Sequence, residues 1–254
     1  MKTYPRWLRS AAVLATLSFG AVASQAQEIV VSAAASLTNA FQEIGKGFEK
    51  AQPGAKVTFN FGASGALLAQ MTQGAPVDVF ASADQETMNR AVTAKLIAEG
   101  TRADFAHNTL VLIVPATATA APQKLADLAG DGYKRISTGT PASVPIGRYT
   151  MEAVQKAGLT AALEPKWIYG ESVRQVLNYV ARGEVDAAFV YRTDAMIERD
   201  KARITMTVPT LTPVSYPIAQ LAASKNAELG KVFVAYVHSA PGQEILERYG
   251  FSKP

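Results

Sequence analysis

Glu28-Ile29-Val30-Val31-Ser32-Ala33-Ala34-Ala35-Ser36-Leu37-Thr38-Asn39-Ala40-Phe41 decides the fold class. A short β-branched run ends at Ser32, and beyond Ser36 the pattern changes period. Leu37, Phe41, Ile44 and Phe48 recur at spacings of four, three and four, one face of a helix. A strand over Ile29–Ser32 therefore feeds a helix over Ser36–Ala51. The same handover follows in Lys56-Val57-Thr58-Phe59-Asn60-Phe61-Gly62-Ala63-Ser64-Gly65-Ala66-Leu67-Leu68, with a strand over Lys56–Phe61 and a helix over Ser64–Gly74. In both copies a serine stands at the junction. A serine there is a natural N-cap, its oxygen accepting from first-turn N–H groups that have no helical partner. Such a junction also attracts anions, because N–H donors and the positive end of the helix dipole converge on it. Ser36 and Ser64 thus read either as two caps or as half of an anion site without lysine or arginine.

The alternation continues. Strands are expected at Asp78–Ala81, Leu110–Pro115, Arg135–Thr138, Ala187–Val190, Arg203–Thr207 and Ile218–Ala223. Helices are expected at Asp84–Ala94, Pro122–Leu128, Ile146–Gly158, Ser172–Arg182, Thr193–Arg199, Ala227–His238 and Pro241–Tyr249. This βαβα order means an α/β fold with mixed, mostly parallel sheets. Ala103–Leu110 reads as a crossing between two domains. Leu211–Pro217 reads as a second, since Pro213 and Pro217 interrupt the strand pattern. Two crossings divide the chain into a signal peptide at 1–26, a discontinuous lobe at 27–107 plus 215–254, and a second lobe at 108–214. Ligands of open α/β sheets bind beyond the carboxyl ends of strands, where both serines lie.

Residues 1–26 have the form of a secretory signal. Lys2, Arg6 and Arg9 precede an apolar stretch from Ala11 to Ala23, and Ser24-Gln25-Ala26 offers small residues for cleavage near Ala26. The expected location is the periplasm. The chain has no cysteine, which excludes disulfides, thiolate metal sites and a lipidated cysteine. Taking Lys2, Arg6 and Arg9 from the 25 basic residues leaves one more base than the 21 acids. A near-neutral exported protein is a poor partner for nucleic acid. A monomer is expected.

Three further junctions repeat the serine setting. Val144-Pro145-Ile146-Gly147-Arg148 leads from a strand into a helix, with proline in the first turn and the N–H groups of Ile146 and Gly147 unpaired. Gly170-Glu171-Ser172-Val173 opens another helix and leaves the Val173 N–H available. Val190-Tyr191-Arg192 puts a phenol at a strand end, a donor at neutral pH. Each also has an ordinary reading as loop, cap or core tyrosine. Asp78 and Asp84 flank a strand, and Asp84 is read as an N-cap. The serine contexts do not fit the G-x-S-x-G elbow, and His107 and His238 stand far along the chain from either serine. No phosphate-binding glycine motif occurs. No arginine–aspartate pair of the kind that holds an amino acid is evident at the helix starts.

Taken together, Ala33-Ala34-Ala35-Ser36-Leu37-Thr38-Asn39-Ala40, Phe61-Gly62-Ala63-Ser64-Gly65, Gly74-Ala75-Pro76-Val77-Asp78-Val79-Phe80-Ala81-Ser82-Ala83-Asp84, Val144-Pro145-Ile146-Gly147 and Arg248-Tyr249-Gly250-Phe251 resemble the periplasmic molybdate-binding proteins of bacterial ABC transporters. The resemblance implies a two-lobed type II periplasmic-binding-protein fold with the ligand in the inter-lobe cleft. It implies a receptor rather than an enzyme, with no cofactor and no cation site. Its ligand is molybdate or tungstate, and its partner is the transporter's membrane permease. Carried over by motif, the binding residues are Ser36 and Ser64 through their hydroxyls, Ile146 and Val173 through their N–H groups, and Tyr191 through its phenol. Alanine is common where this chain has Ile146, and Arg148 stands outside the family pattern. The remaining alternatives are a receptor for sulfate or another oxyanion, an organic-solute receptor and a serine hydrolase.

Overall fold

The computed structural model describes residues 27–254, so the signal-peptide expectation lies outside the described residues. The elements in order are β1 (Gln27–Ala34), a 3-10 turn (Ala35–Leu37), α1 (Thr38–Ala51), β2 (Ala55–Gly62), α2 (Ser64–Thr72), β3 (Val79–Ala81) and α3 (Gln85–Thr93). Then come β4 (Ala103–Asn108), β5 (Leu110–Pro115), a 3-10 turn (Leu125–Ala129), β6 (Ile136–Gly139), α4 (Pro145–Lys156), α5 (Thr160–Leu163), a 3-10 turn (Glu164–Lys166), β7 (Trp167–Gly170) and α6 (Val173–Ala181). The chain closes with β8 (Ala187–Tyr191), α7 (Arg192–Ala195), β9 (Ala202–Thr207), β10 (Val214–Gln220), α8 (Ala227–His238) and α9 (Ala240–Arg248).

Two sheets organise two lobes. The first has the order β2-β1-β3-β10-β4 and the second β7-β6-β8-β5-β9. The chain passes from the first to the second between β4 and β5, and returns between β9 and β10. In each sheet the strands that precede a site junction pair in parallel, and the strands next to the crossings pair antiparallel. The sheets are mixed as expected, but parallel pairs do not outnumber antiparallel ones.

The α1 face foreseen from periodicity is buried: Ala40, Phe41, Ile44 and Phe48 face the core. Phe41 meets Phe59, Phe105 and Phe233, with ring centroids 5.6–6.2 Å apart. Each such ring removed from water stabilises by roughly 1.5–3 kcal/mol. This packing fixes α1 on the sheet and hence the position of the turn that carries Ser36.

Three expectations change in detail. Ala103–Leu110 does hold the passage from one sheet to the other, but as strands and not as a loop. It forms β4 and the start of β5, with only Thr109 between them, and His107 exchanges backbone hydrogen bonds of 2.7 and 3.1 Å with Ser252. Leu211–Pro217 is not all crossing either. β10 begins at Val214 and contains Pro217, at a register shift against β4 between Tyr216 and Pro217. A bulge is where a strand tolerates a residue without an N–H, so the proline did not end the strand. The helices expected at Thr193–Arg199 and Pro122–Leu128 shrink to α7 and to the 3-10 turn Leu125–Ala129. The short elements β7 and α5 had no clear sequence signal.

Candidate anion site at the strand ends

One small cavity is lined by Ser36, Ser64, Ile146, Val173 and Tyr191, the five residues singled out from the sequence. Backbone and small side chains of Ala34, Ala35, Gly62, Ala63, Ala83, Val144 and Pro145 complete it. No lysine, arginine, aspartate or glutamate lines it. Its volume, about 10 Å³, is far below the roughly 300–1,000 Å³ of sites for organic ligands of drug size. A larger depression of about 590 Å³ opens at the opposite ends of β1 and β3. It is the weaker candidate, because its buried carboxylate, Asp78, is already bonded to the Val30 N–H and to Ser224 Oγ.

Neither serine is a helix cap. Ser36 lies inside the 3-10 turn, and Ala34 and Leu37 flank the turn and α1 without side-chain capping bonds. Its hydroxyl instead sits 3.0 Å from Tyr216 Oη. Ser64 is the first residue of α2, preceded by Ala63 at the cap position. Its oxygen accepts a 3.0 Å hydrogen bond from the Ala83 N–H at the end of β3. A hydroxyl engaged from behind cannot turn back to its own helix, so capping gives way to projection into the cavity. Asp84 and Ser172 do cap, accepting from the N–H groups of Thr87 and Gln175 at 3.2 and 3.3 Å.

Ile146 and Val173 occupy the first turns of α4 and α6, where N–H groups have no partner within the helix. The Ile146 side chain is fully buried and lies over Gly139. A Cβ at Gly139 would come within 2.9 Å of Ile146 Cγ2, so glycine makes the room for the extra bulk. Tyr191 ends β8, and its hydroxyl makes only a long hydrogen bond of 3.5 Å to the Ala83 carbonyl, which its single proton leaves when it turns to a bound ion. Burial, with nearby tyrosines and aspartates adding to it, pushes the phenols of Tyr191 and Tyr216 well above their ordinary value. Both therefore stay protonated as donors.

Arginine–aspartate pairs do occur at these helix starts, against expectation. Arg148 on α4 reaches Asp84 through Nε at 2.8 Å, Thr87 Oγ1 at 2.8 Å and the Pro141 carbonyl at 2.9 Å. Arg174 on α6 lies 2.6 Å from Asp194 Oδ1, and donates to Asn39 Oδ1 at 2.9 Å and the Ser36 carbonyl at 3.3 Å. Burial raises the Asp194 carboxyl to about 6, opposed by Arg174 beside it. Both guanidinium groups are spent on protein acceptors, and neither lines the cavity. They hold the lobes together across the cleft instead of clamping a carboxylate. Sequence spacing gave no sign of them, since each pairing is a product of tertiary packing.

No histidine approaches either serine oxygen among the described hydrogen bonds, and no cluster of three metal-ligating side chains occurs among the described residues. The arrangement offers hydrogen-bond donors and no nucleophile–base pair.

The profile of the bacterial extracellular solute-binding proteins matches residues 29–252. The molybdate-binding protein ModA of Escherichia coli (strain K12) is 35% identical over 257 residues, covering 97% of this chain and 98% of that protein. The chain belongs to the ModA proteins of this solute-binding family. The family binds solutes and is not an enzyme family. Two solved structures share the ModA fold at identities that speak for the fold alone. The Azotobacter vinelandii periplasmic molybdate-binding protein has a TM-score of 0.78 at 22% identity, over 89% of this chain and 99% of its own. The sulfate-binding protein SubI of Mycobacterium tuberculosis H37Rv has a TM-score of 0.80 at 16% identity, over 89% of this chain and 87% of its own.

Proposed function

We propose that this chain is a periplasmic receptor that closes two lobes on molybdate or tungstate and delivers the ion to the membrane permease of an ABC transporter. Ser36 and Ser64 donate from the lobe formed by 27–107 and 215–254. Ile146, Val173 and Tyr191 donate from the lobe formed by 108–214. The receptor acts as a monomer, without cofactor or nucleic acid, after removal of 1–26. The observation that carries this reading is a cavity edged by helix starts and neutral donors with no ionisable acid or base in its lining.

Such a site selects by proton count and size. Each hydrogen bond to a charged group is worth about 1.5–3 kcal/mol, and each helix start adds about 0.3–2 kcal/mol. Several converging donors therefore replace a salt bridge. Phosphate near neutral pH keeps a proton that finds no acceptor, at a cost of roughly 1–3 kcal/mol. Sulfate has no proton, and its shorter bonds leave some donors out of reach. Bridging both lobes, the ion stabilises the closed state by contacts that the open state lacks. Isothermal titration checks this: molybdate and tungstate bind tightly at one site per chain, sulfate far more weakly, and phosphate not measurably. Tight sulfate binding without molybdate binding contradicts the proposal.

A further inference from the structure

Behind Ser36 runs a partly buried chain of polar groups whose direction is fixed by a backbone N–H. The Thr109 N–H donates to Asn108 Oδ1 at 2.8 Å. That settles which end of the Asn108 amide is which, because a backbone N–H only donates. Asn108 Nδ2 then donates its two protons, one to Thr193 Oγ1 at 2.9 Å and one to Tyr216 Oη at 3.2 Å. With its oxygen accepting from Asn108, the Tyr216 hydroxyl sends its single proton to Ser36 Oγ at 3.0 Å. Ser36 accepts from Tyr216, and its own proton is left for the cavity. Ser64 is polarised in the same sense by the Ala83 N–H, another group that only donates.

We infer that Tyr216, oriented by Asn108, is a positioning residue that determines specificity by forcing Ser36 to act as a donor to the bound anion. This rests on the proposed oxyanion site and adds to it the reason a protonated oxyanion is refused. A ligand O–H arriving at Ser36 meets a proton instead of a free hydroxyl able to turn and accept. Tyr216 is fully buried, ringed by Phe105, Tyr191 and Phe251 at centroid distances of 6.3, 5.8 and 5.4 Å. Its hydroxyl is therefore held at one place, and the chain of donors reinforces each link toward the ligand. Asn108 is the last residue of β4, one step before the chain crosses to the second sheet, and Thr193 belongs to α7 beside that sheet. The relay thus ties Ser36 to the crossing between the lobes.

The test compares molybdate with hydrogen phosphate at about pH 8, where both are dianions and only phosphate carries a proton. Two variants are titrated beside the wild type. Tyr216→Phe removes the hydroxyl and frees Ser36 to accept. Asn108→Asp supplies an acceptor in place of the donor, so that Tyr216 donates to it and accepts from Ser36, reversing the relay. In both variants molybdate binds about tenfold or more weakly, and phosphate, not measurable in the wild type, binds measurably, so that the ratio of phosphate to molybdate dissociation constants falls at least tenfold below the lower bound the wild type sets. The added charge in Asn108→Asp acts on both dianions alike and leaves that ratio untouched. Equal weakening of both anions, or phosphate binding that stays unmeasurable in both variants, overturns the inference. Wild-type protein that fails to bind molybdate in the same titration overturns the oxyanion reading instead, so the two failures are distinct.

Discussion

Gly65→Ala weakens molybdate binding by about two orders of magnitude or more, while the ligand-free protein keeps its stability. Gly65 is the second residue of α2, and its N–H donates across the cleft to the Ser143 carbonyl at 3.0 Å. A Cβ at this position would lie 2.6 Å from Ser143 O, 2.8 Å from its Cα and 3.0 Å from its carbonyl carbon. All three are backbone atoms. They sit in a turn closed by the bonds from the N–H groups of Ser143 and Val144 to the Thr140 carbonyl, at 3.1 and 2.8 Å. That turn has little freedom to retreat, so a single methyl wedges the lobes apart. Donors on one side then lose their reach to the ion, and two lost charge-assisted hydrogen bonds, at about 1.5–3 kcal/mol each, exceed a hundredfold in affinity. In the open state the methyl meets nothing across the cleft, and alanine suits a helix better than glycine by about 1 kcal/mol. Titration calorimetry with a thermal melt separates the two effects. Wild-type affinity in the alanine variant would show that the closed arrangement is not the binding state.

Ser36→Ala with Ser64→Ala abolishes practical molybdate binding, lowering affinity about a thousandfold or more. Each hydroxyl supplies a donor to the same dianion from the same lobe, so neither loss is compensated by the other. The single variants differ in stability. Ser64→Ala leaves the buried Ala83 N–H without its acceptor, and a backbone N–H cannot turn elsewhere, at a cost of roughly 1–3 kcal/mol. Ser36→Ala leaves a tyrosine hydroxyl that can rotate, and costs less. Parallel calorimetry and thermal melts give the ordering. Retained micromolar binding in the double variant would remove the serines from the site.

The α/β frame was legible in the alternation of strand and helix patterns. That Ser36, Ser64, Ile146, Val173 and Tyr191 line one cavity was legible too, because each lies where a strand pattern gives way to a helix pattern. Such a place exposes unpaired donors whatever the tertiary structure. What those hydroxyls do was not legible. Capping is a local choice, and both serines were drawn from it by partners far along the chain, Tyr216 and Ala83. Tyr216 itself was hidden by its neighbour Pro217, whose missing N–H looked like a strand end and proved to mark a bulge. β4 was missed for a related reason. Only Phe105 and Ala106 of Ala103–Asn108 are buried, too few to show a period, and its pairing with β10 joins residues more than a hundred positions apart. Arg148–Asp84 likewise exists only where the two lobes meet, and Arg174–Asp194, within the second lobe, only where α6 packs on α7.

Crystals of the protein grown with molybdate, measured at the molybdenum absorption edge, locate the metal directly. The account predicts one anomalous peak in the cavity between the lobes. The oxygens around it lie within hydrogen-bond distance of Ser36 Oγ, Ser64 Oγ, the backbone nitrogens of Ile146 and Val173, and Tyr191 Oη, with no lysine or arginine among the contacts. A peak elsewhere, or an ion held by Arg148 or Arg174, would contradict it.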